Sequence, residues 1–229
     1  GLVWMAVAIA QLPSLGWALY AGEPWVAFAV SCSAGLLLGG AIVIPMRGGE
    51  RSLDHRSAFL AVTSAWVGAC VLGALPFLGI GVSPIDAFFE SSSGFTTTGA
   101  TVLSGLDSMP RSILLWRAMT HWLGGMGMVL LGVAVFPVLG LGGMQLFKAE
   151  APGPTKDKLT PRIAETAKIL WTLYLGLTVA AATALYVGGM TPFDALCHAF
   201  STVATGGFST HDTSVGYYAS SSFILLATT

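Results

Sequence analysis

The sequence predicts an all-α integral membrane protein built from repeated units of helix, re-entrant half-helix and helix. Three observations lead there. Charged residues make up only 9% of the 229 residues and apolar ones 54%, with a mean hydropathy of +0.76. A soluble domain carries about 25% charged residues, and so few could not clothe a water-facing surface. Several apolar runs reach the length of about 20 residues that a spanning helix needs. Two further segments, too short to cross, share one pattern at an offset of 108 residues.

In chain order the expected spans are residues 2–20, 25–45, 57–78, 113–139 and 167–187, with a sixth beginning near Tyr217. The first run lacks the basic start of a secretory signal, and a second apolar run follows almost at once, so it is taken as a span. Residues 1–46 then form an N-terminal hairpin, 57–139 a first unit, 140–166 a cytoplasmic loop and 167–229 a second unit cut short. Gly1 and Thr229 both look like cut ends, so a fragment of a longer chain is expected. Arg47, Arg51 and Arg56 fall in one loop, and Lys148, Lys156, Lys158, Arg162 and Lys168 fall in or beside another. These basic loops are expected on the cytoplasmic side, which puts the N-terminus inside and both short segments at the outer face.

The short segments are residues 84–95 and 192–203. At 12 residues each, they cover about 18 Å, roughly half of a hydrocarbon core about 30 Å thick. Ser83 and Thr191 are expected as N-caps, Pro84 and Pro192 at the first helical position, and Asp86 and Asp194 in the first turn, where the dipole favours an anion. The two stretches PIDAFFESSSGFTTTGAT and PFDALCHAFSTVATGGFS match without gaps at Pro, Asp, Ala, Ser, Thr and Gly positions. Irregular backbone at membrane depth survives only when buried in protein or lining a water-filled path. Glycine permits turns that aim carbonyls at an axis, and threonine adds a hydroxyl oxygen without charge. Such oxygens can replace the water around a desolvated monovalent cation, and hard oxygen donors suit K⁺ or Na⁺ rather than soft metals. The alternative, small residues at helix contacts, explains one such stretch but not two copies after capped half-helices. For the glycine-rich run from His121 to Gly132, in a helical setting, close packing is the preferred reading.

Other classes fare worse. The net charge of −1 implies neither a nucleic-acid nor an acidic partner. Cys32, Cys70 and Cys197 lie at irregular spacing in apolar context, as small buried hydrophobes do. An intramembrane hydrolase lacks a G-x-S-x-G or H-E-x-x-H pattern, and His55, His121, His198 and His211 have no evident serine partner in sequence, so no enzyme is expected. A membrane scaffold without transport accounts for small residues but not for the repeat. Glu90 could act electrostatically near a pore mouth, but a hydrogen bond to a neighbouring helix is preferred. Arg117, inside an apolar run, is expected to snorkel or to pair with a carboxylate such as Glu90. Asp107 and Asp212 either concentrate cations or are solvated loop carboxylates.

The stretches ESSSGFTTTGATVL, RAMTHWLGGMGMVLLGVAVFPVLGLGGMQLFKAEAPGPTKDKLTPRIAETAKILW and FSTVATGGFSTHD together resemble the Trk/Ktr/HKT superfamily of potassium uptake proteins, nearest its bacterial TrkH/TrkG membrane subunits. The resemblance implies four M1–P–M2 units around one pore, as in potassium channels, of which units three and four are missing here. It implies potassium coordination by Thr97, Thr98 and Gly99, with Thr96 and Ala100 adjacent, and by Ala204, Thr205, Gly206 and Gly207. Whether Gly206 or Gly207 matches Gly99 stays open: the ungapped register chooses Gly207, the Thr-Gly pairs choose Gly206. It further implies location in the cytoplasmic (inner) membrane among lipid, a homodimer, a cytoplasmic nucleotide-binding TrkA-like regulatory subunit, K⁺ as the transported ion and no organic cofactor. Glycine at the ring position resembles potassium-preferring members; sodium-permeable or K⁺/Na⁺ or K⁺/H⁺ coupled transport is the alternative. The loop 140–166 is the expected docking place of the regulatory subunit.

Overall fold

The structure, a computed structural model, describes residues 1–46, 55–135 and 159–218. Among these residues the regular elements are all helical. They are α1 (Leu2–Ala10), α2 (Leu12–Ala21), α3 (Val26–Val43), α4 (His55–Leu78), α5 (Pro84–Phe95), α6 (Arg111–Val135), α7 (Leu159–Val187) and α8 (Pro192–Val203), with short 3₁₀ turns at Ile44–Met46, Leu106–Ser108 and Ser214–Tyr218. The expected positions Arg47, Arg51, Lys148, Lys156 and Lys158, the end of the fourth span and the sixth span beyond Tyr218 lie outside the described residues.

Among the described residues, four stretches are long and apolar enough to cross a membrane: Leu2–Ala21, Val26–Val43, Phe59–Leu78 and Glu165–Val187. The first was expected as one helix, yet it is broken at Gln11. Pro13 explains the break, because it has no N–H for Ile9 O and its ring crowds that carbonyl. The Gln11 N–H turns back to Ala8 O and Ile9 O instead. In α4, Pro76 stands inside the helix without ending it. The carbonyl it orphans, Leu72 O, accepts the Ser31 hydroxyl of α3 at 2.7 Å, and the neighbouring Gly73 O accepts Trp116 Nε1 of α6 at 2.9 Å. At membrane depth no water would otherwise take over such a bond.

The fourth expected span, α6, is 25 residues long but is not among the four apolar stretches. It carries Arg111, Arg117 and His121, and it buries Ile113 to His121 almost completely. It is therefore a central helix with a polar inner face. It packs on α5, α8, α2 and α7. α7 begins at Leu159, within a residue of the start expected at Thr160-Pro161, and continues without interruption through the expected span 167–187. The last part of the segment expected as a loop is thus its first two turns. Large apolar side chains stand exposed along α3 and α7, among them Leu37, Leu173, Leu177 and Val179. That is the face expected toward lipid.

The half-helices have the expected bounds. Ser83 Oγ accepts from the Asp86 N–H, and Thr191 Oγ1 from the Asp194 N–H, each at 3.2 Å. Such caps contribute about 1 kcal/mol each. α5 packs between α4 and α6, and α8 between α6 and α7. The main core joins Phe28, Phe77, Ala87, Phe95, Ile113 and Trp116 around the first half-helix. All three cysteines are buried and free, as expected for small apolar side chains.

Candidate functional site

Both half-helices close in the same way. The Thr98 N–H donates to Ser93 O at 2.9 Å and the Thr97 N–H to Gly94 O at 3.0 Å. In the second copy the Gly206 N–H donates to Ser201 O at 2.8 Å and the Thr205 N–H to Thr202 O at 2.9 Å. This pair of bonds ends a helix in a left-handed residue, ordinarily glycine. Here that residue is threonine twice: Thr97 and Thr205 each have φ 55°. A β-branched residue held there costs on the order of 1–3 kcal/mol, and such strain gathers at functional positions.

Gly99 (φ 76°) and Gly207 (φ 91°) follow, both left-handed. The backbone therefore pairs Gly99 with Gly207 in the ungapped register, and Gly206 falls opposite Thr98. Gly206 is small for another reason. A Cβ there would overlap the His121 ring, and a Cβ on Gly99 would overlap Gly206 O, so the two loops abut. Thr96, Thr98, Thr205 and Gly207 are exposed and Thr97 and Gly99 partly so, whereas Ala204 and Gly206 are buried. Thr96 Oγ1 donates to Ser92 O at 2.8 Å and lies 2.8 Å from Thr98 Oγ1. With the Thr96 proton committed to a carbonyl, the Thr98 hydroxyl donates to Thr96 and keeps lone pairs free. Both loops thus expose uncharged oxygens at the end of a half-helix whose dipole leaves partial negative charge there.

The support behind the loops comes from one face of α6: Arg117, Thr120, His121, Gly124 and Gly125, at helical spacing. A Cβ on Gly124 would overlap the Phe95 backbone, and one on Gly125 would come within 3.0 Å of Ala204 Cβ. The packing reading of this glycine run therefore holds. His121 is fully buried, stacks on Phe208 with centroids 3.9 Å apart, and receives the Phe208 N–H on Nδ1 at 3.4 Å. An N–H only donates, so Nδ1 is the unprotonated nitrogen.

Arg117 is 1% and Glu90 0% exposed, so neither snorkels nor lies in water. Arg117 Nε donates to Glu90 Oε2 at 3.3 Å. Glu90 Oε1 accepts the Thr101 hydroxyl, the Val102 N–H at 2.7 Å and the Leu103 N–H at 3.3 Å, all in the segment leaving the first loop. The expected bond to a neighbouring helix is present, as is the pairing expected for Arg117. The second copy repeats the device with other chemistry. His198, the match of Glu90, meets Ser209 Oγ, the match of Thr101, at 3.0 Å. Its Nδ1 lies 2.8 Å from Asp194 O, so Nδ1 donates and Nε2 of the neutral ring accepts.

Two serine–histidine pairs that the sequence did not display are thus formed, His198–Ser209 and His121–Ser201, the latter at 3.3 Å. Both serve as braces of the loops. At the outer ends, Asp107 pairs with His211 Nδ1 and accepts the Asp212 N–H at 3.3 Å, while Asp212 accepts the Leu106 N–H at 3.1 Å. These carboxylates join the two loops to each other. The hydrogen bond from His211 first, and that from the Asp212 backbone next, hold the exposed Asp107 carboxyl below its ordinary value.

Residues 27–229 match the family model described as TrkH, cation transport protein. The chain belongs to this family. It is 50% identical over 223 residues, 95% of this chain and 46% of the relative, to the Trk system potassium uptake protein TrkH of Vibrio parahaemolyticus. It is 39% identical over 222 residues, 95% of this chain and 46% of the relative, to the Trk system potassium uptake protein TrkG of Escherichia coli. The crystal structure of the potassium transporter TrkH from Vibrio parahaemolyticus superimposes with a TM-score of 0.83 at 44% identity, over 99% of this chain and 47% of that one. The chain spans about half the length of the relatives it matches.

Proposed function

We propose that the intact protein takes up K⁺ across the cytoplasmic membrane as the pore-forming subunit of a Trk-type system, and that this chain supplies two of its filter loops. The observation that carries the reading is the repeated pair of strained threonines and left-handed glycines in two abutting loops, each at the end of a capped half-helix. A stripped alkali cation needs several uncharged oxygens at once, and this geometry offers them without a fixed charge that would trap the ion. The ligands are Thr96, Thr97, Thr98 and Gly99 of one loop and Ala204, Thr205, Gly206 and Gly207 of the other. Buried Ala204 and Gly206 have only backbone carbonyls to contribute. The names of the relatives, all potassium uptake proteins, support K⁺ as the cargo and transport rather than catalysis as the activity. Lipid surrounds the apolar helices, a second copy completes a homodimer, and a nucleotide-binding TrkA-like subunit docks on the cytoplasmic side.

The test is rubidium uptake by potassium-starved cells that depend on the intact protein. Uptake is expected for the unmodified protein and its loss or altered selectivity for Thr98→Asp and Gly99→Asp, each at normal membrane level. Unchanged uptake by both variants would overturn the assignment of the loops, and sodium uptake in place of rubidium would overturn the cargo.

A further inference from the structure

The two filter loops belong to different repeats, and the Arg117 side chain, from α6, reaches both. Arg117 touches the first unit through Glu90 Oε2 and through Thr101 Oγ1, to which Nη2 donates at 3.2 Å. It touches the second through Ser209 O, to which Nη1 donates at 3.0 Å, and through the Phe208 ring, 4.1 Å below the guanidinium. His121, one turn further along α6, meets Ser201, Gly206 and Phe208, all of the second unit. The planar fork of arginine suits a residue that must address two directions at once; the point charge of lysine does not.

We infer that Arg117, neutralised by Glu90, is the positioning residue that fixes the two filter loops relative to each other and so sets how sharply the pore discriminates between alkali ions. The placement of its contacts supports this. Thr101 lies two residues after Gly99, and Phe208 and Ser209 follow Gly207 directly. A shift of the guanidinium is therefore passed within one or two residues to the backbone that presents the ligands, in both loops together. Discrimination between ions differing by fractions of an ångström depends on the number and spacing of those oxygens. Arg117 does not contact the ion. The pair carries no net charge, so its part is geometric rather than electrostatic. A buried pair held only for stability is replaceable by neutral groups of similar size; a pair held for geometry is not.

This inference rests on the filter reading above, and the test separates the two. The intact protein is reconstituted in vesicles, and the ratio of sodium to potassium permeation is measured for the unmodified protein, for Glu90→Gln with Arg117→Met, and for Arg117→Lys. The ratio is independent of how much protein has folded. The double variant leaves no unpaired buried charge, and the lysine variant keeps the charge while losing the fork. Both are expected to conduct with a ratio raised severalfold, the double variant more. Should the double variant fail to accumulate, Arg117→Lys carries the test alone. An unchanged ratio in every variant that accumulates overturns the positioning role and leaves the filter reading intact. An unmodified protein that conducts neither ion overturns the filter reading itself.

Discussion

Thr97 and Thr205 occupy a conformation that glycine would hold without strain, and each is followed two residues later by a glycine that needs the same region. Two mechanisms could keep threonine there: the hydroxyl contributes to the ligand set, or the side chain merely packs. Thr205 is exposed and Thr97 partly so, which argues against packing. Replacing Thr205 by glycine should therefore cost nothing in stability, since it relieves backbone strain on the order of 1–3 kcal/mol and gives back part of that as glycine's larger chain entropy. The expected outcome is an unchanged or slightly raised melting temperature of the purified protein, together with weakened selection of rubidium over sodium in uptake. A fall in melting temperature of several degrees with selectivity intact would assign the threonine to packing. The two loops were legible in sequence because their closing bonds span at most five residues, and the ungapped repeat displays them twice. The partner of Arg117 in the second loop was not. Ser209 lies 92 residues away and contributes a backbone carbonyl, which no residue type announces.

The half-helices were the most legible elements, since cap, proline and first-turn aspartate are local signals that tertiary packing did not override. The interruptions of the long helices were less so. Pro13 breaks the first span and Pro76 does not break α4, although both stand in apolar runs. The difference lies in what neighbours supply. Ser31 donates to the carbonyl that Pro76 strips of its partner, and a serine in α3 reveals nothing of that in sequence. The bond predicts a coupling. Ser31→Ala should destabilise the protein by about 1 kcal/mol by leaving Leu72 O unpaired. In a Pro76→Ala background the helix regains its own N–H, and the same change should cost markedly less. A thermodynamic cycle over the four proteins, followed by thermal unfolding in detergent, measures it; equal costs in the two backgrounds would mean that Ser31 is not the substitute donor.

At the scale of the whole molecule, what stands out is how the two units are held together. Their helix packing runs through α6, which touches both half-helices. Their polar contact lies in two layers, the Arg117 pair at depth and the Asp107–His211–Asp212 group at the outer end of the loops. The composition made a membrane protein plain and the repeat divided it into units, but neither could assign Asp107 and Asp212 to a joint between units rather than to a cation-concentrating rim. The outer layer is accessible to solvent and therefore open to titration. The Asp107 carboxyl titrates below its ordinary value of 3.8 in the folded chain because His211 and the Asp212 N–H bond its charged form. A carboxylate so depressed contributes its full stabilisation above the unfolded chain's value, and the contribution disappears as the pH falls through the lowered one. Other carboxyls titrate in the same range, so the informative quantity is a difference between two proteins. The melting temperature of the unmodified protein should exceed that of Asp107→Asn by a constant margin near neutral pH. That margin should narrow as the pH drops below about 4. Exposure and screening keep the margin small, and raised salt should shrink it further. A margin independent of pH across that interval would show that the aspartate joins the two loops through its shape and not through its charge.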